Sequence, residues 1–307
     1  MKLFYKDYES AGSGISKNAP KKSGFALFMD LFKRKIWQLM EINFLYSLFF
    51  VPLLLIMTVL RYTNKSNTSA MLALIGLLIL IFAVIIGPAT AGMFKIMRNY
   101  YIEKHTFILR DFFRTFRKNF VKASVIGIID CLMVMSVIAS YFVYPALAAQ
   151  THSKLMYVPL VLAYSIALVV LMMNFYIYLM LIATNLSLKN LIKNSFALAF
   201  LAMKKNVITI LASLGAILLL LPIIRYFFPV FLIVIWIYPA AFICFVTTFN
   251  SYPVIQKYVI NPYYESIGEI NPELVTDDDD DERIFEDMGG KEKPIEKRRD
   301  TKGRRIM

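Results

Sequence analysis

The residue in this chain best placed for chemistry is Asp130, the one acid inside any of its long apolar stretches. An ionisable group among so many apolar neighbours is costly, so it pairs with a partner or handles a proton or ion. Asn174 is the partner the sequence offers. Counted at about 1.5 Å per residue from the inner ends of their helices, both reach a similar depth, roughly 12–15 Å for Asp130. A shared hydrogen bond, with the carboxyl in its neutral form, would clasp two helices together. The sharper alternative is a proton- or ion-handling acid.

A second constellation is Gly87-Pro88-Ala89-Thr90-Ala91. Pro88 removes a backbone donor, frees the carbonyl of Val84 and kinks its helix. Gly87 and Ala91, four apart, let another helix approach closely. A kink at a packing seam and a hinge that opens a path both fit this pattern. The third is basic: Arg110, Arg114, Arg117 and Lys118 oppose Leu109, Phe112, Phe116 and Phe120, and Lys204 and Lys205 follow a similar stripe at Leu188, Ile192 and Phe196. Cations beside an apolar helical face suit contact with anionic lipid or a cytoplasmic partner.

Catalytic signatures do not accompany these groups. The chain has no HExxH, GxSxG or Walker-type phosphate loop. His105 and His152 lack metal-ligand spacing. Cys131 and Cys244 lie in apolar stretches at different expected depths, which suits small hydrophobes better than a disulfide. The expectation is a protein without enzymatic activity, cofactor or metal.

The elements that position these residues are six apolar stretches, over 42–60, 70–86, 120–144, 156–183, 207–224 and 228–249. Each has about the length of a bilayer-crossing helix, roughly 20 residues. A chain that is 58% hydrophobic is too apolar for an ordinary soluble domain. All but four of the 34 Lys and Arg fall in the N-terminal segment, alternate loops and the C-terminal tail, the four being Arg61, Lys65, Lys154 and Arg225. Positive loops stay cytoplasmic, so both termini are expected inside. The net charge of +13 therefore reads as orientation and attraction to anionic lipid, not as nucleic-acid binding. No secretory signal peptide is visible, and the first span should direct insertion.

The expected fold is an all-α membrane protein of six transmembrane helices, with a flexible arm over 1–23, a membrane domain over 24–260 and a disordered charged tail over 261–307. Phe25, Phe28, Phe32 and Ile36 predict an amphipathic helix at the inner interface, with Trp37 at headgroup level. Phe32, Phe116 and Met203 stand at corresponding places with offsets of 84 and 87 residues. This predicts three tandem units, each a cytoplasmic amphipathic helix followed by a two-span hairpin.

The Gly87-Pro88-Ala89-Thr90-Ala91 string, the helix after it and the run from Asp111 to Phe120 resemble the YesL family of bacterial integral membrane proteins, which has no established biochemical activity. The stretch Gly14 to Lys22 followed by Arg34-Lys35-Ile36-Trp37 is similar to longer members from clostridial-type Firmicutes. The similarity extends over roughly residues 12–250. It departs in the tail and at Ile102-Glu103-Lys104-His105, where members more often carry an Arg-Gly-Glu-type turn. The resemblance implies a plasma-membrane protein, often encoded beside carbohydrate ABC importers and glycan-degrading enzymes, and supplies no catalytic residue. It points to an accessory of carbohydrate uptake or sensing that contacts an ABC permease or a membrane sensor. The cytoplasmic helix before the fifth span lacks the Glu-Ala-Ala…Gly docking signature of such permeases themselves. The competing expectation is a small secondary transporter or channel that uses Asp130.

Overall fold

A computed structural model describes residues 23–61 and 68–273, and among the described residues the regular structure is all helical, without strands. The helices are α1 (Gly24–Ser47), α2 (Val51–Arg61), α3 (Thr68–Tyr101), α4 (Ile108–Lys118), α5 (Phe120–Thr151) and α6 (Tyr157–Ala183). They continue as α7 (Leu188–Leu201), α8 (Met203–Leu218), α9 (Leu220–Tyr226), α10 (Phe228–Ile237), α11 (Pro239–Ile255) and α12 (Asn261–Ser266). Five helical segments are long and apolar enough to cross a membrane: Gly24–Arg61, Thr68–Tyr101, Phe120–Thr151, Lys154–Ala183 and Met203–Tyr226.

The stretch 228–249, expected as one span, is instead two helices broken at Tyr238 (φ −135°, ψ −44°). The cause is Pro239, which cannot donate to the carbonyl of Ile235. Asn43 of α1 repairs the break from the side. Its Nδ2 donates to that Ile235 carbonyl at 3.2 Å, and its Oδ1 accepts from the backbone N–H of Ala241 at 2.9 Å. Irregular backbone in an apolar environment persists only where its polar groups are satisfied in this way.

Pro88 is handled by the same device. The carbonyl of Val84, left without its helical donor, accepts a hydrogen bond from Ser124 Oγ of α5 at 2.8 Å. Gly87 sits in this crossing so tightly that a Cβ on it would lie 1.9 Å from the carbonyl oxygen of Ala123. A Cβ on Gly127, opposite, would lie 2.8 Å from the Gly87 nitrogen. The α3–α5 pair therefore meets backbone to backbone.

The amphipathic lead-ins differ from one another. At α4–α5 and α7–α8 a single residue, Asn119 or Ala202, separates the short helix from the following one. In the first segment α1 runs without a break from its amphipathic part to Ser47, with a 3₁₀ turn at Leu48–Phe50 before α2. No helix breaker lies between Trp37 and Ser47, so nothing stops the first turn of the span from continuing the lead-in.

The buried core gathers toward one end of the long helices. It includes Leu39 and Ile42 of α1, Ile96 and Met97 of α3, Ala123 of α5, Tyr176 and Met180 of α6, and Phe245 and Tyr252 of α11. The opposite halves of these helices expose apolar side chains such as Leu72, Phe142 and Val161. In water such a surface would be costly, whereas hydrocarbon accommodates it.

Of the tail expected from residue 261, residues 261–273 are described, and they open on a helix. A π-helical turn at Gln256–Ile260 leads into α12, and Asn271 is buried and donates from Nδ2 to Asn261 Oδ1 at 2.9 Å. Buried polar pairing of this sort orders a segment that composition alone reads as solvated. The compact unit spans Gly24–Asn271. The expected arm, apart from Ser23, and the acidic and basic runs after 273 lie outside the described residues, as does Lys65.

Candidate functional site

Asp130 stands about a third of the way along α5, and α6 brings Asn174 and Tyr178 to it. Asn174 Nδ2 donates to Asp130 Oδ1 at 2.6 Å, and the Tyr178 hydroxyl donates to Oδ2 at 2.8 Å. The two donors are four residues apart, which places them one above the other on the same face of α6. Tyr178 is held in turn by Phe94 of α3, whose ring lies parallel to it with centroids 6.0 Å apart. Sequence reasoning reached Asn174 and missed Tyr178, although the i, i+4 relation was available to find it.

This trio borders an open cavity of about 770 Å³ lined by α1, α2, α3, α5, α6 and α11. Its walls are largely apolar, with Leu53, Phe82, Met135 and Ile243 among them. The other hydroxyls on the lining already donate within the protein. Thr90 donates to the carbonyl of Ile86 at 2.8 Å, so the Tyr46 hydroxyl, 3.0 Å away, donates to Thr90 Oγ1. Thr247 donates to the carbonyl of Ile243 at 2.8 Å. On the other side of the Asp130–Asn174 pair lies a smaller groove of about 240 Å³ between α5 and α6. The pair thus forms a polar partition between two apolar spaces.

Gly87, Pro88 and Ala91 are all buried on α3. Gly87 and Pro88 belong to the crossing with α5, and Ala91 continues the same packed segment. Gly92, one residue further on, lies against the Phe112 ring, where a Cβ would meet Cδ2 at 2.9 Å. Ser124 and Gly127 complete the seam, and neither was singled out in the sequence.

The basic residues separate into distinct groups. Arg114, Arg117 and Lys118 of α4 line a pocket of about 890 Å³, together with Lys95 of α3 and Lys122 of α5. Thr184 and Asn185, just past α6, close it. Arg110 is placed differently, with its guanidinium 4.4 Å from the centroid of the Phe107 ring. Lys204 and Lys205 are exposed at the start of α8 and do not line this pocket. Neither Lys95 nor Lys122 was foreseen as a member, because their separation along the chain conceals that α3 and α5 pack together.

The loop after α3, at residues 102–105, includes a backbone shape that a glycine would favour. Glu103, two residues past the end of α3, has φ 53°, while its carboxylate takes both terminal nitrogens of Arg34 at 3.2 Å. Among the described residues no cluster of His, Cys, Asp or Glu has the arrangement of a metal site.

Residues 39–141 match the family described as "Protein of unknown function, DUF624". No curated protein and no solved structure matches the chain. The match covers the last third or so of α1, all of α2, α3 and α4, and the first two thirds of α5. It therefore includes the α3–α5 seam and Asp130, but not Asn174 or Tyr178.

Proposed function

We propose that this is a six-span protein of the bacterial plasma membrane, with both termini cytoplasmic, which assists carbohydrate uptake or sensing without catalysing a reaction. In this reading it belongs with the YesL-like proteins and contacts an ABC permease or a membrane sensor. Three tandem units present basic helices to the cytoplasm. The observation that carries the non-transporting part is the cavity lining. A sugar needs a hydrogen-bond partner for nearly every hydroxyl it buries. Here the polar groups are spent on one another: Asp130 on Asn174 and Tyr178, Thr90 on Tyr46 and Ile86, Thr247 on Ile243. A carbohydrate role therefore runs through a partner that moves the sugar. The test is sugar uptake by cells that carry the neighbouring importer, with and without this protein. Slower uptake without it is the expected result, and equal uptake contradicts the reading.

A second reading, a small secondary transporter or channel, is favoured by one observation. Asp130 and Asn174 stand between the large cavity and the α5–α6 groove, where a coupling acid would sit. In that case Asp130 exchanges a proton or ion as the cavity changes shape.

A further inference from the structure

We infer that the pocket between α4, the start of α5 and the end of α6 binds the phosphate-bearing headgroup of an anionic phospholipid. The inference is independent of both readings above, since it requires neither an importer nor flux. Five cations border this pocket: Lys95, Arg114, Arg117, Lys118 and Lys122. Asp111 is the one acid among the lining residues, and it is engaged elsewhere. Its Oδ2 accepts from the backbone N–H of Phe107 at 3.1 Å, and its Oδ1 lies 3.8 Å from Arg110 Nε.

Arg114, Arg117 and Lys118 form no hydrogen bond or ion pair through their side chains among the described residues. Lys122 is fixed, its Nζ donating to the carbonyl of Leu186 at 3.0 Å. Like charges gathered around one space repel unless an anion joins them. Guanidinium forks match phosphate oxygens in pairs, and ammonium groups add point charge.

The level of the pocket selects the source of the phosphate. Val121, on the rim, is 74% exposed, and α5 continues from it through exposed Val125 and Ile129. Basic side chains at the start of an outward apolar helix face are where a headgroup lies with its acyl chains along the helix. A soluble phosphate ester would gain nothing from that apolar lip.

The test uses the purified full-length chain in a neutral detergent, titrated with short-chain phosphatidylglycerol, phosphatidylcholine of the same chain length, or inorganic phosphate. Binding is read by native mass spectrometry and by the unfolding temperature. Phosphatidylglycerol should bind and raise the unfolding temperature, phosphatidylcholine should not, and inorganic phosphate should bind more than tenfold more weakly. The triple variant Arg114→Gln, Arg117→Gln, Lys118→Gln should lose about a hundredfold in affinity, at roughly 1 kcal/mol per basic side chain. The double variant Lys204→Gln, Lys205→Gln removes charge outside the pocket and should bind as the parent does. If the triple variant fails to fold, Lys118→Gln alone, on an exposed side chain, should lose about fivefold. Equal binding of the two phospholipids, or an equal loss in the Lys204/Lys205 variant, would overturn the site. Inorganic phosphate binding as tightly as phosphatidylglycerol would overturn the lipid as its occupant.

Discussion

Asp130 has two donors aimed at it, and this sets what its substitutions do. Asparagine keeps the shape but presents one acceptor where the carboxyl presents two, so Asp130→Asn strands a single donor and should cost about 1 kcal/mol. Asp130→Leu strands both Asn174 and Tyr178 and should cost about twice that. Thermal unfolding in detergent should therefore rank the parent above Asn and Asn above Leu. A leucine variant as stable as the parent would mean that the trio holds nothing together. The Asp130–Asn174 pairing was legible from depth counting alone, because helical rise converts residue number into position along a span. Asn43 was not legible. Its partners, Ile235 and Ala241, lie nearly 200 residues away, and only the packing of α1 on the α10–α11 break brings them together.

At the scale of elements, two prolines leave carbonyls open, and a side chain from a neighbouring helix closes each. Ser124→Ala should leave the Val84 carbonyl unsatisfied and lower stability by roughly 1–3 kcal/mol. Asn43→Leu should do more, because it releases both sides of the break at Tyr238. Hydrogen exchange at Ala241 should then rise well above its rate in the parent, and an unchanged rate would show that the break needs no support. Gly87→Ala is the sharpest steric test, since its Cβ would press on backbone and not on a side chain that can turn aside. Forcing the α3–α5 crossing apart should cost about 3 kcal/mol, and a variant of normal stability would contradict so close a crossing. The freed carbonyl of Val84 could be read from Pro88, but the residue that satisfies it could not, because Ser124 is one of many small polar residues in the spans. Pro239 offered the same warning about the stretch 228–249, and the continuous run of apolar residues concealed it.

For the whole molecule, hydropathy was the legible part: it marks the apolar stretches and separates them from the charged ends. The uneven distribution of the core was hidden, since lipid-facing and buried positions are equally apolar and periodicity cannot distinguish them. Orientation can be tested directly. A cysteine at His152 should react with an impermeant thiol reagent added to intact cells, whereas one at Thr106 should not, and labelling at 106 would reverse the topology. The central claim is that the protein works through a partner and not by moving solute itself. The most direct measurement is flux in liposomes that contain only the purified protein. Neither sugar nor protons should cross faster than in empty liposomes, and the Asp130→Asn protein should behave the same. Robust sugar or ion flux that Asp130→Asn abolishes would contradict the claim and make Asp130 the coupling residue of a transporter.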